Sequence, residues 1–276
     1  MISENLHRHA IPSDGYHSHE ALAFSQLARC GTWTPDEEQW TPHLYREPID
    51  VSAAMNRGTL VHAARYEPER FHSLYAVRPM KNGRAVPSNT AEFADWSLAN
   101  AGRIVVSQSD LEDILAIADA LTLSPAVAAY VRRNAAVLST ERAYLTRDPA
   151  TGLAMRIKPD CLRMAPDGSL ICEDLKTTRA TTPKEFRREA ETHAYYRRFA
   201  YYRHALSLIT DLPFERIRCV FIAVGNDHPH PCWVAEADPE KLDAAQTVND
   251  DCMTALSACI ETGVFAPKWA REAIVL

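Results

Sequence analysis

Leu153-Ala-Met-Arg-Ile-Lys-Pro-Asp-Cys-Leu-Arg-Met164 and Ser169-Leu-Ile-Cys-Glu-Asp-Leu-Lys-Thr177, joined by Ala165-Pro-Asp-Gly168, decide how this chain is read. Both outer runs have strand composition, and Pro, Asp and Gly in the linker supply the backbone geometry that strands avoid. The spacing therefore predicts two adjacent antiparallel strands. Along the second, side chains alternate with period two, so Leu170, Cys172, Asp174 and Lys176 share one face while Ile171, Glu173 and Leu175 share the other. Asp174 and Lys176 thus point into the same space, and Glu173, the rival carboxylate, faces away. Pro159-Asp160 sits on the first strand, with thirteen residues between it and Asp174, and Pro159 is expected to interrupt the pleat. Two carboxylates can hold a hard divalent ion against a phosphodiester, and a nearby ammonium can orient the attacking water. An Asp-x-Lys alone is ordinarily a solvated polar face; the upstream Pro-Asp on a paired strand makes it a candidate centre.

A chain of 276 residues with 46% hydrophobic content can build one sizeable core, or a core with a smaller helical region. No apolar run approaches the roughly 20 residues needed to span a bilayer, and Met1 to Glu20 is too polar for a signal peptide, so a cytoplasmic location is expected. Seven cysteines without a C-x-x-C pair read as free thiols and argue against structural zinc; the spacing of Cys252 and Cys259 is only a trace of an iron–sulfur pattern. The net charge of −6 argues against indiscriminate binding to a polyanion. Charge is unevenly placed, however. Lys176, Arg179, Lys184, Arg187, Arg188, Arg197, Arg198 and Arg203 face only Glu185, Glu189 and Glu191 between positions 176 and 203. That segment reads either as a phosphate-binding face or as a solvated helix laced with pairs such as Arg188 with its flanking glutamates.

The first half of the chain reads as largely helical, with helices over His17–Arg29, Val51–Arg65 and Ala91–Asn100, one from Ser109, and one from Ser124 with Pro125 at its first position. Pro79 to Pro87 reads as an exposed turn. From Thr140 the texture changes to strands: Glu141–Thr146, a turn at Asp148–Gly152, then the hairpin. A long helix over Pro183–Leu208, strands at Ile217–Val224 and Cys232–Ala237, and a last helix over Pro239–Thr262 complete the chain. The expected division is a helical region over 1–139 and a core over 140–276.

Gly58-Thr59-Leu60-Val61-His62-Ala63, Glu67-Pro68-Glu69-Arg70-Phe71, Thr140-Glu141 with Thr151-Gly152-Leu153, Arg156-Ile157-Lys158-Pro159-Asp160 and Glu173-Asp174-Leu175-Lys176-Thr177-Thr178 occur in consistent order between Tyr16 and Trp269. Together they resemble the RecE-like (exonuclease VIII-type) branch of PD-(D/E)xK nucleases. The resemblance implies an α/β, restriction-endonuclease-like core, a central mixed sheet flanked by helices, with an integral N-terminal helical region. It implies a Mg²⁺-dependent deoxyribonuclease, with Mn²⁺ as a substitute, that degrades one strand from duplex DNA ends in recombination. A phage or prophage setting, a single-strand annealing partner and a ring-shaped homo-oligomer belong to the same expectation. Carried over, Asp160, Asp174 and His62 are metal ligands, Lys176 is the catalytic lysine, and Glu141 matches an acidic catalytic position of uncertain role.

On the residues alone, His62 shares a helix face with Gly58, where glycine lets the helix approach another backbone closely. The plainer reading is a satisfied boundary histidine. Glu141 could equally be an exposed strand residue or pair with Arg142 or Arg156. One departure from the family stands out: Arg198, four residues before Tyr202, occupies the place of a glutamine in a Gln-x-x-x-Tyr motif. Arginine can hold a phosphate bidentately, so Arg198, Tyr202, Arg179 and Lys184 are the DNA-contact candidates; the tyrosines could instead simply pack the helix onto the sheet. The rival functions are a structure-specific or single-strand endonuclease of the same superfamily, in a defence or mobile-element system, and a catalytically silent DNA-binding subunit.

Overall fold

A computed structural model of the chain describes residues 2–12, 16, 19–33, 40–46 and 52–266. His17, Val51 and Trp269, which bound three of the expectations above, lie outside the described residues. In chain order the strands are β1 (Ala10–Ile11), β2 (Leu22–Ala23), β3 (Tyr75–Val77), β4 (Met80–Lys81), β5 (Arg84–Ala85), β6 (Ile104–Val106), β7 (Ala136–Thr140), β8 (Ala143–Arg147), β9 (Ala154–Ile157), β10 (Cys161–Met164), β11 (Leu170–Thr178), β12 (Ile217–Gly225) and β13 (Cys232–Glu236). The helices are α1 (Ile2–His9), α2 (Phe24–Arg29), α3 (Ala53–Tyr66), α4 (Pro68–Leu74), α5 (Ala91–Ala99), α6 (Gln108–Leu123), α7 (Pro125–Arg133), α8 (Pro183–Thr192), α9 (Tyr195–Thr210) and α10 (Pro239–Thr262).

A mixed five-stranded sheet of order β13-β12-β11-β10-β7 forms the centre. β11 runs antiparallel to β10 and parallel to β12, and α8 and α9 make the crossover that a parallel pair requires. The alternation read from the sequence holds. Leu170 and Cys172 pack with Phe199, Leu206 and Phe221 on the α9 side, whereas Leu175 and Ile222 pack with Leu60 of α3 and Ile114, Ile117 and Leu121 of α6 on the other. With both faces covered, β11 reads as a nearly continuous buried run, and its polar residues stand out. No single helix among the described residues is long and apolar enough to cross a membrane.

Several boundaries differ from expectation. The first hairpin strand is divided at Lys158-Pro159-Asp160: β9 belongs to a separate four-stranded sheet of order β1-β8-β9-β2, while β10 belongs to the central one. Proline has no N–H for a ladder, so pairing changes hands there. The helix expected over His17–Arg29 shortens to α2, because Leu22–Ala23 pairs with β9 in parallel. The long helix after the lysine is broken at His193-Ala194, where Ala194 adopts a left-handed φ of 55°. The cap of α6 is Ser107, whose hydroxyl accepts from the Asp110 N–H, rather than Ser109. The central sheet begins with β7 at Ala136, slightly ahead of the expected boundary at 140, and β1 and β2 carry the first region into the four-stranded sheet.

Candidate active site

Strand register sets the carboxylates side by side. Thr140, Cys161 and Glu173 are partners across β7, β10 and β11. One step beyond them, where the chain passes between the two sheets, Glu141, Asp160 and Asp174 come level. The backbone confirms the alignment: the Glu141 N–H donates to the Asp160 carbonyl at 2.9 Å, and the Leu175 N–H donates to Asp160 Oδ2 at 2.6 Å. Glu141 is not in a strand but in the link from β7 to β8, with φ at 47°. Both crossings between sheets thus carry an acid of the site.

Helix α3 supplies His62, whose Nδ1 lies 3.3 Å from Asp160 Oδ2 and 3.5 Å from Glu141 Oε1. Burial disfavours a charged imidazole, but the two carboxylates outweigh it and hold the pKa of His62 up at about 10. Gly58, one turn earlier, faces Thr177, yet an alanine methyl there would meet Thr177 Oγ1 at an ordinary 3.8 Å, so the close backbone approach expected at this glycine is not found. The helix approach does not require glycine. Gly58→Ala is therefore expected to stabilise the chain by about 1 kcal/mol through helix propensity, measured by urea unfolding; a loss of stability would mean that α3 lies closer to β11 than described.

Asp174 and Lys176 do share a face: their carboxylate and ammonium form an ion pair, with Arg198 Nη1 at 3.6 Å from the other Asp174 oxygen. Burial would raise the Asp174 pKa, but Lys176 and Arg198 pull it below the usual carboxylate value. Burial lowers the Lys176 pKa despite Asp174, and its Nζ lies 5.0 Å from the centre of the Tyr195 ring. Glu173 faces away as expected, wholly buried, with Arg163 Nε at 2.5 Å.

His62, Glu141, Lys176 and Arg198 line a cleft of about 1030 Å³ walled by α3 and α4 on one side and by β11, the segment after it and α9 on the other, while Asp160 and Asp174 are in contact with these groups but are not part of its lining. Its lining has six lysine and arginine side chains, Arg57, Arg70, Lys158, Lys176, Arg179 and Arg198, besides His62, against three carboxylates, Glu67, Glu141 and Glu189. A protein of charge −6 thus concentrates positive charge at one place. Arg179 and Arg198 line the cleft; Lys184 and Tyr202 do not. Lys184 is exposed on the first turn of α8, and Tyr202 is buried, its hydroxyl 3.4 Å from the Lys158 carbonyl. Of the remaining basic strip, Arg203 is buried against Asp243 and Arg197 bonds Asn249, so both tie α9 to α10.

Lys158 was not singled out in the sequence, although it directly precedes Pro159-Asp160. Its Nζ lies 2.6 Å from Glu141 Oε2, so Glu141 pairs with Lys158 and His62 and not with Arg142 or Arg156. Arg156 instead donates to the carbonyls of Tyr16 and His19. Arg57 was also passed over, having no motif to mark it.

The donor atoms of His62, Glu141 and Asp160 all lie within 4.8 Å of one another, close enough to ligate one ion. Two carboxylate oxygens and an imidazole nitrogen suit a divalent cation of the Mg²⁺ or Mn²⁺ kind. This trio takes in Glu141, whose role was open, and leaves Asp174 beside it, held by cations. To act as a ligand His62 must first give up its proton.

A mixed sheet with helices on both faces, carrying Pro-Asp at the entry to one strand and Asp-x-Lys on its neighbour beside a cationic cleft, is the architecture of a PD-(D/E)xK nuclease domain. The chain belongs to the family described as PDDEXK-like domain of unknown function (DUF3799), which matches residues 32–271. Among solved structures it is similar to the putative exonuclease of Eubacterium rectale, at 12% identity and a TM-score of 0.60 over 96% of this chain and 94% of that one. At that identity the likeness speaks for the fold. No curated protein matches the sequence.

Proposed function

We propose that this chain is a Mg²⁺-dependent deoxyribonuclease that degrades one strand from the ends of duplex DNA. The observation that carries the reading is the alignment of Glu141, just after β7, and Asp160, just before β10, with Asp174 of β11, His62 above them and Lys176 beside them, next to a cleft whose charged lining residues are mainly cations. His62, Glu141 and Asp160 would hold the metal, with Asp174 completing its surroundings. When bound, a divalent ion would polarise the scissile phosphate and generate hydroxide from water at neutral pH. Lys176 orients that water, and Arg198 and Arg179 hold phosphate oxygens so that the P–O bond to the departing oxygen lies in line. Action from ends, a recombination setting, a single-strand annealing partner and assembly into a ring follow from the family resemblance and belong to this reading.

End-labelled linear duplex and covalently closed circles, incubated with Mg²⁺, Mn²⁺ or chelator, test it. Metal-dependent loss of linear DNA with persistence of circles is the expected result, and light scattering should show a species several times the 30.9 kDa chain. Rapid attack on intact circles by a monomer would favour the endonuclease reading; no cleavage under any metal would favour a silent binding subunit.

Arg198 provides a further prediction, because it reaches the centre from the place of the family's glutamine. Arg198→Ala should weaken DNA binding about tenfold and shallow its salt dependence by about one phosphate contact, with Arg198→Gln milder. Unchanged salt titrations for both variants would make Arg198 a structural partner of Asp174.

A further inference from the structure

We propose that Arg57, on the α3 wall of the cleft, clamps the backbone phosphate next to the scissile one, a reading that rests on the nuclease assignment above. Arg57 stands five residues before His62, and its side chain lines the cleft at 30% exposure. The carboxylate nearest to it, Asp113, is 3.7 Å away, beyond hydrogen-bond length, and 60% exposed, and the Asp110 carboxylate, already bonded to Ser107, feels the charge of Arg57 only at longer range. Its Nε is buried with no partner among the described residues. A guanidinium that has lost much of its water, and whose Nε the described residues do not match, lacks one of the bonds that normally offset desolvation. A phosphate offers two oxygens to such a fork.

Position argues for the same ligand. Lys176, Arg179 and Arg198 approach the cleft from the core side, on β11, the segment after it and α9, whereas Arg57 approaches from α3. A strand laid over the carboxylates meets cations on both sides. The scissile phosphate belongs to the carboxylate–lysine end, which leaves the neighbouring linkage to Arg57. A purely structural role is disfavoured because an exposed pair at this distance contributes little to stability. The ligand is thus a phosphodiester of the nucleic-acid strand being cut.

The test is equilibrium binding of a short fluorescent duplex with Ca²⁺ replacing Mg²⁺ to withhold turnover. Arg57→Ala should bind about tenfold more weakly and lower the slope of log affinity against log salt by about one, with an unchanged melting temperature. Arg57→Lys should keep the slope while recovering part of the affinity. Replacing single linkages by neutral methylphosphonates should cost the wild type affinity beside the scissile position, and cost Arg57→Ala nothing at that same linkage. If the wild type cuts DNA but Arg57→Ala keeps the wild-type slope or the wild-type linkage profile, the clamp is wrong and the nuclease reading stands. A wild type that neither binds nor cuts the duplex overturns both.

Discussion

Asp160→Ala is expected to reduce cleavage by a factor on the order of 10³ or more, comparable with removing a main electrostatic stabiliser from an active site. The expectation rests on two separate jobs done by one carboxylate. Oδ2 accepts the Leu175 N–H at 2.6 Å, locking β10 to β11 at the level of Asp174, and the same oxygen faces His62 Nδ1 at 3.3 Å. Alanine removes both, and leaves a buried N–H unpaired at a cost of about 1–3 kcal/mol. Asparagine separates the two jobs. Its amide oxygen can still accept from Leu175, so Asp160→Asn should melt close to wild type, yet the missing charge should remove cleavage and weaken Mn²⁺ binding measured by calorimetry. An active Asp160→Asn variant with wild-type Mn²⁺ affinity would remove Asp160 from the metal site.

The largest stability effect is expected on β11, on the face opposite Asp174. Glu173 is wholly buried, and Arg163 Nε, its counter-ion from β10, lies 2.5 Å away. Arg163 also donates to the Asn134 carbonyl at 3.2 Å. Removing the arginine alone leaves a carboxylate with no water and no partner cation, which costs about 3–5 kcal/mol. Arg163→Met should therefore lower the melting temperature by roughly 10 °C in a chain of this size. The pair itself is another matter, since a buried ion pair seldom outperforms apolar residues of similar volume. Arg163→Met with Glu173→Leu should recover most of the loss. Differential scanning calorimetry of the two single variants and the double variant decides it: additive losses would show that the two residues do not act as a pair.

These two carboxylates, one step apart across adjacent strands, show how much could be read in advance. The alternation of β11 depends only on backbone geometry, so it assigned Asp174 and Lys176 to one face and Glu173 to the other before any contact was known. Helices with local signals were equally legible: Ser124-Pro125 begins α7, and α10 runs from Pro239 to Thr262 as expected. Where a non-local partner intervenes, the local reading fails. Leu22–Ala23 carries helical periodicity but pairs with β9, far along the chain, and Ala194 breaks a helix although nothing in its own side chain demands a left-handed conformation.

The sequence by itself determined the strand pair, its Pro-Asp and Asp-x-Lys halves, the facing of each side chain on β11 and the concentration of basic residues after it. Only the tertiary structure decided which acids and cations share the centre. Glu141 and Asp160 meet because the chain leaves the central sheet just after β7 and re-enters it just before β10, and Lys158, carried on the returning segment, falls within reach of Glu141. No spacing rule predicts that encounter, because it depends on the register between strands and on the crossing between two sheets. For the same reason Arg57 and Arg179, unrelated in sequence, line one cleft, while Arg197 and Arg203 from the same basic segment turn inward to hold α10. Whether a charge serves a site or a packing interface depends on the helix face it occupies and on what covers that face, and both are settled only when the layers assemble.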